Sequence, residues 1–149
     1  MDKPETFQEV REFLSSFHAI HGGGCGIAAL AMYRWLYKHN KVPDHFKFVA
    51  CYEKHQGDEY VNNMKVLRTG DGKAVACSHV AIYYDSKVID CREDVCLHRY
   101  DLIQFIGPTW FIVNMVNNVG TWNSWFDRDN IHIIEEVLDI SLSDMDNEQ

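Results

Sequence analysis

The stretch HGGGCG, residues 21–26, leads directly into the apolar run IAALAMYRWLYKH, residues 27–39. Apolar side chains surround a helix drawn through this run, and Arg34 is its first charged residue. A helix that is apolar on all sides is normally enclosed by other elements. The pattern therefore predicts a buried central helix from about Cys25 to His39, around which the rest of the chain is organised.

Cys25 is expected in the first turn of this helix. A thiol there lies beside unpaired backbone N–H groups and at the positive end of the helix dipole, which favours the thiolate form. The preceding glycines, residues 22–24, leave room for a substrate to approach the sulfur. The same residues also suit a flexible loop followed by a small buried cysteine that begins a core helix. Taken alone, the stretch does not favour either interpretation.

The segments on either side of the central helix predict an α+β fold. Apolar spacing over residues 4–17 predicts an amphipathic helix, and alternation over residues 46–53 predicts a strand. Two further strands are predicted over residues 73–84 and 87–91, separated by Asp85-Ser86. We expect the strands to form an antiparallel sheet on which the N-terminal helices pack.

The remaining segments are less regular. Residues 61–67 suit either a strand or irregular structure, and Gly70-Asp71-Gly72 is a strong turn signal. Gly107-Pro108-Thr109 predicts the start of a helix that ends near Asn118. Residues 131–138 suit a last strand or a short helix.

The loop at Asp85-Ser86 decides which side chains of the hairpin share a face. A two-residue loop pairs His79 with Arg92 and makes His79 and Asp90 diagonal neighbours. Their backbones are then roughly 7–8 Å apart on one face, a gap that long side chains can bridge. Cys77 is expected on the same face as His79. A three-residue loop would move Asp90 to the opposite face.

Cys25, His79 and Asp90 together suit cysteine catalysis. Cleavage of an amide or thioester by a cysteine needs a thiolate, a base that shares its proton, and a third group that orients the imidazole. Taken separately, His79 suits a core histidine, and Asp90 suits a strand-end acid that binds a loop amide. In this order and in these settings, the three residues predict a catalytic triad.

Two patches of the chain, residues 21–37 and 77–91, resemble the papain-like thiol hydrolase superfamily. The sequence HVAIYYDSKVID, residues 79–90, resembles the H-V-G-I-Y hairpin segment of NlpC/P60 domains. Gly22-Gly23-Gly24-Cys25 resembles the glycine-rich cysteine turn of transglutaminase-like folds and arylamine acetyltransferases. The resemblance implies a papain-like α+β fold, with Cys25 as nucleophile, His79 as base and then acid, and Asp90 as the orienting residue.

The oxyanion-binding group is less clearly indicated. Papain carries a glutamine six positions before its cysteine, and Ala19 stands at that position here. The backbone N–H of Cys25 is the first candidate donor, and Gly24 belongs to the same turn. His18 and His21 are the candidates for a second donor.

A later segment offers an alternative orienting residue. Asn123-Ser124-Trp125 is similar to the Asn-Ser-Trp sequence of papain, in which the asparagine is the third triad member. Because a predicted helix separates Asn123 from the strand next to His79, we interpret the similarity as a coincidence. Asn123 nevertheless stays the alternative to Asp90, and Trp122 is a candidate for lining a substrate groove.

Composition limits the partners and the compartment. The net charge of −8, from 22 acidic and 14 basic residues, argues against nucleic acid or an anionic membrane as a partner. The five cysteines include no C-x-x-C pair, and neither a signal peptide nor a membrane-spanning run is present in the sequence. We therefore expect reduced thiols in a cytoplasmic protein, in the host cytosol if a phage encodes it. One domain is predicted over residues 1–140, followed by an acidic, flexible tail over residues 141–149.

Bound zinc is the main chemical alternative. Cysteine and histidine ligands are available at Cys77, His79, Cys91, Cys96 and His98, and His18, His21 and Cys25 add three more. Structural zinc sites use closer pairs than most of these spacings provide. We therefore expect neither a metal nor a cofactor.

Two hypotheses of different classes follow. The first is a cysteine hydrolase that cleaves a peptide, isopeptide or related acyl bond of a protein or peptide substrate through an acyl-enzyme. Transfer of the acyl group to an amine instead of water is a variant that the sequence does not separate from hydrolysis. The second is a non-catalytic binding or inhibitor protein on the same scaffold, with an acidic surface that meets a basic partner.

Overall fold

The computed structural model describes residues 3–18, 20, 24–56, 60–61, 64–115 and 128–142, which form an α+β arrangement. The α-helices of this part of the chain are α1 (Phe7–Ser15), α2 (Cys25–Lys38), α3 (Pro108–Met115) and α4 (Arg128–Leu138). Its strands are β1 (Lys47–Lys54), β2 (Tyr60–Val61), β3 (Met64–Lys65), β4 (Leu67–Arg68), β5 (Ala74–Tyr84), β6 (Lys87–Ile89) and β7 (Leu102–Ile106). A short 3-10 turn, Leu97–Arg99, precedes β7.

The main sheet is antiparallel and is centred on β5 and β1. Its strand order is β4-β5-β1-β7, and β6 also pairs with β5. β1 pairs along one edge of β5, whereas β4 and β6 pair with the two ends of its other edge. Within the described residues, the part of that second edge from Ala76 to Ala81 has no strand partner. His79 lies in this gap.

A β-bulge in β5 sets the direction of the His79 side chain. Cys51 of β1 lies opposite His79, but the next residue, Tyr52, lies opposite Cys77, so that Ser78 is an extra residue. Such a bulge shifts the alternation of side chains by one position. Cys77 consequently packs against the main core. The expectation that Cys77 shares the His79 face is wrong for this reason.

Helix α2 is the centre of the core, as its apolar sequence predicts. Every residue from Gly26 to Leu36 is buried. The helix packs on the face of the sheet that carries Phe48 and Ile82, and α1 and α4 contact it as well. On the other face of the sheet, Val49, Cys51 and Ala81 form a smaller buried cluster.

The amphipathic helix predicted near the N-terminus is α1. Thr6 caps its start, because the Thr6 hydroxyl accepts a hydrogen bond from the Glu9 N–H and the Glu9 carboxylate accepts one from the Thr6 N–H. The apolar side of α1, with Val10 and Leu14 fully buried, faces the core. The opposite side of the helix, with Gln8, Glu9 and Glu12, is exposed.

The less regular segments resolve as follows. The predicted turn after β4 is present, with Gly72 at a φ of 82°, and the segment from 61 to 67 contributes only two-residue strands. Residues 131–138 belong to helix α4, because Ile134 and Leu138 lie on its one buried side. In the described part of the chain, no helix has the length and apolar character needed to cross a membrane. The predicted acidic tail lies outside the described residues from 143 onward.

Candidate active site

The β5–β6 hairpin has the predicted two-residue loop. Asp85 and Ser86 both have positive φ angles, 53° and 64°, as a type I′ loop requires. The loop pairs Tyr84 with Lys87, and the ladder ends at the pair of Ile82 and Ile89. The expected pairing of His79 with Arg92 is therefore not formed, because the chain turns away from β5 at Asp90.

Asp90 is held in a tight turn by its own carboxylate. Oδ1 accepts hydrogen bonds from the backbone N–H groups of Arg92 at 2.7 Å and Glu93 at 2.8 Å. The Asp90 N–H donates to the Glu93 carbonyl at 3.0 Å. Aspartate commonly stabilises turns in this way. The arrangement leaves the other carboxylate oxygen, Oδ2, directed at His79.

His79 contacts Asp90 on one side and Cys25 on the other. Its Nε2 lies 3.2 Å from Asp90 Oδ2, and the Cys25 side chain is close enough to the imidazole to raise the pKa of His79. Because Nε2 faces the carboxylate, Nδ1 is the nitrogen available to Cys25. The Tyr100 ring lies nearly parallel to the imidazole, at 8° between planes and 6.5 Å between centroids. The structure thus brings Cys25, His79 and Asp90 together.

The charges of the pair follow from these contacts. Burial of the imidazole favours its neutral form, but the hydrogen bonds to Asp90 and Cys25 outweigh burial and raise the pKa of His79 to about 9. Burial also favours neutral Asp90, yet the bonds from His79, Glu93 and Arg92 lower its pKa to about 2. At neutral pH the imidazole is accordingly protonated and the carboxylate ionised.

Cys25 is the first residue of α2. Gly24 precedes it as a buried N-cap residue without a side-chain bond to the helix, and its carbonyl accepts the first helical hydrogen bond from Ala28 at 2.9 Å. The first-turn N–H groups thus receive no capping bond from the preceding side chain. The Cys25 side chain is partly buried against the main core.

The neighbouring thiols differ from Cys25 in their surroundings. Burial raises the pKa of Cys51 and of Cys77 to about 12 and that of Cys91 to about 11. A buried thiol with a raised pKa holds its proton and reacts slowly. Cys96 is exposed. Cys25 is therefore the cysteine that combines partial exposure with a contact to an imidazole.

A cavity of about 400 Å³ adjoins the His79–Asp90 pair. The residues that line it are Glu53, Ser78, His79, Asp90, Arg92, Glu93, Asp94, Val95, Cys96, Arg99 and Tyr100. Most of them carry charged or polar groups, so the space suits a polar group of a ligand. It reaches the imidazole from the side of Asp90 and Tyr100.

Of the other candidate residues, Gly24 and His18 belong to the described part of the chain. His18 is exposed after the end of α1. His21, Trp122 and Asn123 lie outside the described residues. Within the part of the chain that the structure describes, no group of three or more His, Cys, Asp or Glu side chains is arranged to hold a metal ion.

Two residues of α1 reach the site without having been singled out from the sequence. Arg11 and Ser15 bind the backbone carbonyls of Asp90 and Cys91, respectively. The amphipathic pattern of α1 shows that both belong to its less apolar side, but no sequence signal indicates what that side meets.

Comparisons of the chain with protein-family models, with curated proteins and with solved structures found no significant match.

Proposed function

We propose that this protein is a cysteine hydrolase with a papain-like fold, which cleaves a peptide, isopeptide or related acyl bond. One observation carries the proposal: the His79 imidazole pairs with Asp90 through Nε2, and the Cys25 thiol at the start of α2 lies close enough to raise the pKa of that imidazole. Nucleophile, base and orienting acid occur in the contact order that acyl transfer through a thiol requires. Cys51, Cys77 and Cys91 are weaker candidates for the nucleophile, because burial raises the pKa of each thiol.

In the proposed reaction, the Cys25 thiolate attacks the carbonyl carbon while the proton resides on His79. The oxygen of the tetrahedral intermediate is stabilised by the N–H of Cys25 and by the dipole of α2. As the C–N bond breaks, His79 gives its proton to the leaving amine, and the acyl group stays on the sulfur as a thioester. His79 then takes a proton from water, whose oxygen displaces the thiolate and releases the acid.

The electrostatics of the pair support these roles. A His79 pKa raised to about 9 keeps the imidazole protonated near neutral pH, ready to protonate a leaving amine. The ionised Asp90 carboxylate fixes the ring and stabilises its positive charge. Its bonds to two backbone N–H groups prevent it from rotating away. Because a free thiol is needed, the proposed activity suits a reducing compartment such as the cytosol.

Alkylation with iodoacetamide at pH 6 tests the proposal. We expect Cys25 to react about tenfold or more faster than the exposed Cys96, as mass spectrometry of each cysteine will show. His79→Gln should remove this advantage, since the glutamine side chain cannot accept the proton. Equal rates for Cys25 and Cys96 in the unaltered protein would instead favour a non-catalytic binding protein.

Acylation by p-nitrophenyl acetate supplies the second readout. The protein should release one equivalent of p-nitrophenol in a burst and carry the acetyl group on Cys25. We expect His79→Gln to slow acylation by about 10²- to 10⁴-fold. An added ordinary amine such as glycinamide will separate the two variants of the reaction, because an acyltransferase forms the amide with a rate that saturates in amine, whereas a hydrolase forms acetate. A burst that survives Cys25→Ala would refute the assignment of the nucleophile.

A further inference from the structure

Helix α1 binds the loop that carries Asp90. The Arg11 guanidinium donates two hydrogen bonds to the Asp90 carbonyl oxygen, from Nε at 3.1 Å and from Nη2 at 2.9 Å. One helical turn later, the Ser15 hydroxyl donates to the Cys91 carbonyl at 2.7 Å. One side of α1 thus binds two consecutive carbonyl groups, 76 or more residues away along the chain.

These bonds act just beyond the β5–β6 ladder, where the chain turns back onto β6 through the Ile89–Asp94 bridge. The β5–β6 ladder ends at Ile89, one residue before Asp90. The bonds of the Asp90 carboxylate to Arg92 and Glu93 close the turn upon itself and do not attach it to another element. Arg11 does attach it, with a charged donor whose hydrogen bonds are stronger than those between neutral groups.

We infer that Arg11 is a positioning residue, which fixes the backbone of Asp90 so that its carboxylate orients His79 toward Cys25. The inference rests on the proposed function. Arg11 contacts the backbone of Asp90 and is not required to touch a substrate. A displacement of the Asp90 turn by about 1 Å away from His79 would lengthen the 3.2 Å distance between Asp90 Oδ2 and His79 Nε2 beyond hydrogen-bond range.

The pKa of His79 separates positioning from simple electrostatics. Removal of a nearby cation should raise the pKa of the imidazole, because less positive charge opposes its protonation. Loss of the Asp90 contact should lower that pKa, because the carboxylate stabilises the imidazolium. The ionisable groups around the imidazole are Cys25 of α2, Cys51 and Glu53 of β1, Cys77 of β5, Asp90, Arg92, Glu93, Asp94 and Cys96 of the loop, and Arg99 and Tyr100. None of these groups is substituted in an Arg11 variant. The direction in which the pKa of His79 moves therefore reports the effect of removing Arg11.

The experiment compares Arg11→Ala and Arg11→Lys with Glu9→Ala. Glu9 belongs to the exposed capping box of the same helix, so its removal weakens α1 without removing a bond to the Asp90 loop. The pKa of His79 is measured by NMR titration of the imidazole, and the rate of Cys25 alkylation is measured at pH 6. Thermal unfolding of all three variants shows how far each one is destabilised.

In Arg11→Ala we expect the pKa of His79 to fall from about 9 by about 1 or more. Cys25 alkylation should slow on the order of tenfold, less than the 10²-fold cost of misplacing a catalytic group by 1 Å. Arg11→Lys keeps the charge with a single donor group and should restore part of both values. Glu9→Ala should leave both values unchanged even where its melting temperature falls.

An unchanged or raised pKa of His79 in Arg11→Ala overturns the inference, as does an equal loss in Glu9→Ala. If Arg11→Ala does not fold, Arg11→Lys decides, and a pKa equal to that of the unaltered protein counts against positioning. The outcome is distinguishable from failure of the proposed function. If Cys25 reacts no faster than Cys96 in the unaltered protein, the hydrolase is refuted, while the titration of His79 still tests whether Arg11 positions Asp90.

Discussion

The two partners of the His79 imidazole come from regions that are stabilised in different ways. Cys25 begins α2, in which every residue from Gly26 to Leu36 is buried by apolar packing. Asp90 lies in a loop just beyond the last strand pair, where hydrogen bonds from Arg92, Glu93 and Arg11 hold the chain. The sulfur is thus positioned by the core and the carboxylate by polar contacts.

This difference separates stability from chemistry. Burial of large apolar side chains supplies most of the free energy of folding, whereas one hydrogen bond contributes about 1 kcal/mol net. Changes in α2 should therefore unfold the protein before they alter the site. Changes around Asp90 should alter the site while most of the fold persists.

The largest effect is expected in α2. Trp35 is 1% exposed, and Trp35→Ala should lower the free energy of unfolding by about 3–5 kcal/mol, through lost burial and the cavity left behind. Tyr37→Ala is the control on the same helix, since Tyr37 is 37% exposed, and should cost about 1 kcal/mol or less. Urea unfolding measures both values. Equal losses would contradict the view that burial of α2 stabilises this region.

A smaller, pH-dependent effect is expected at the loop. Asp90→Asn keeps an oxygen for the N–H groups of Arg92 and Glu93 but loses the charge that pairs with His79. The raised pKa of His79 means that the pair stabilises the fold fully below pH 6.5, and that this contribution disappears as the pH rises through about 9. The lowered pKa of Asp90 means that the contribution is present above pH 3.8 and disappears as the pH falls through about 2.

The stability difference between the unaltered protein and Asp90→Asn should accordingly be largest from pH 4 to 6.5 and shrink on either side. Urea unfolding across this pH range measures it. Asp94→Asn is the control, because Asp94 is exposed and lines the same cavity. A difference that does not vary with pH would show that Asp90 acts on stability without pairing with His79.

The sequence predicts the regular region well for reasons that are local. Arg34 and Lys38 are the only charged residues among the fourteen of α2, so a buried helix follows from its composition. A two-residue loop permits one register of the hairpin, which brings Asp90 near His79. The ladder ends at Ile89, however, so the turn at Asp90 rather than strand pairing completes the contact. The approach of Cys25 to His79 does not follow from local patterns, because it depends on which face of the sheet meets α2.

The details that the sequence does not predict depend on contacts between distant segments. The apolar and polar residues of β5 give no sign of the bulge at Ser78. Simple alternation therefore predicts the wrong face of the sheet for Cys77. Arg11 and Asp90 are 79 positions apart, and a polar residue on an amphipathic helix does not indicate its partner. Such contacts appear only once the elements have packed.

The smallest effect is expected at the loop that joins β5 to β6 and so connects Asp90 to the sheet. Ser86 has a φ of 64°, a conformation that costs a residue with a Cβ about 1 kcal/mol and costs glycine almost nothing. Glycine loses more entropy on folding, so Ser86→Gly should stabilise the protein by about 0.5 kcal/mol net. Ser86→Ala keeps the Cβ and should not stabilise it. Thermal unfolding compares the two, and a destabilising glycine would mean that the Ser86 side chain, rather than the type I′ backbone, holds the register that brings Asp90 to His79.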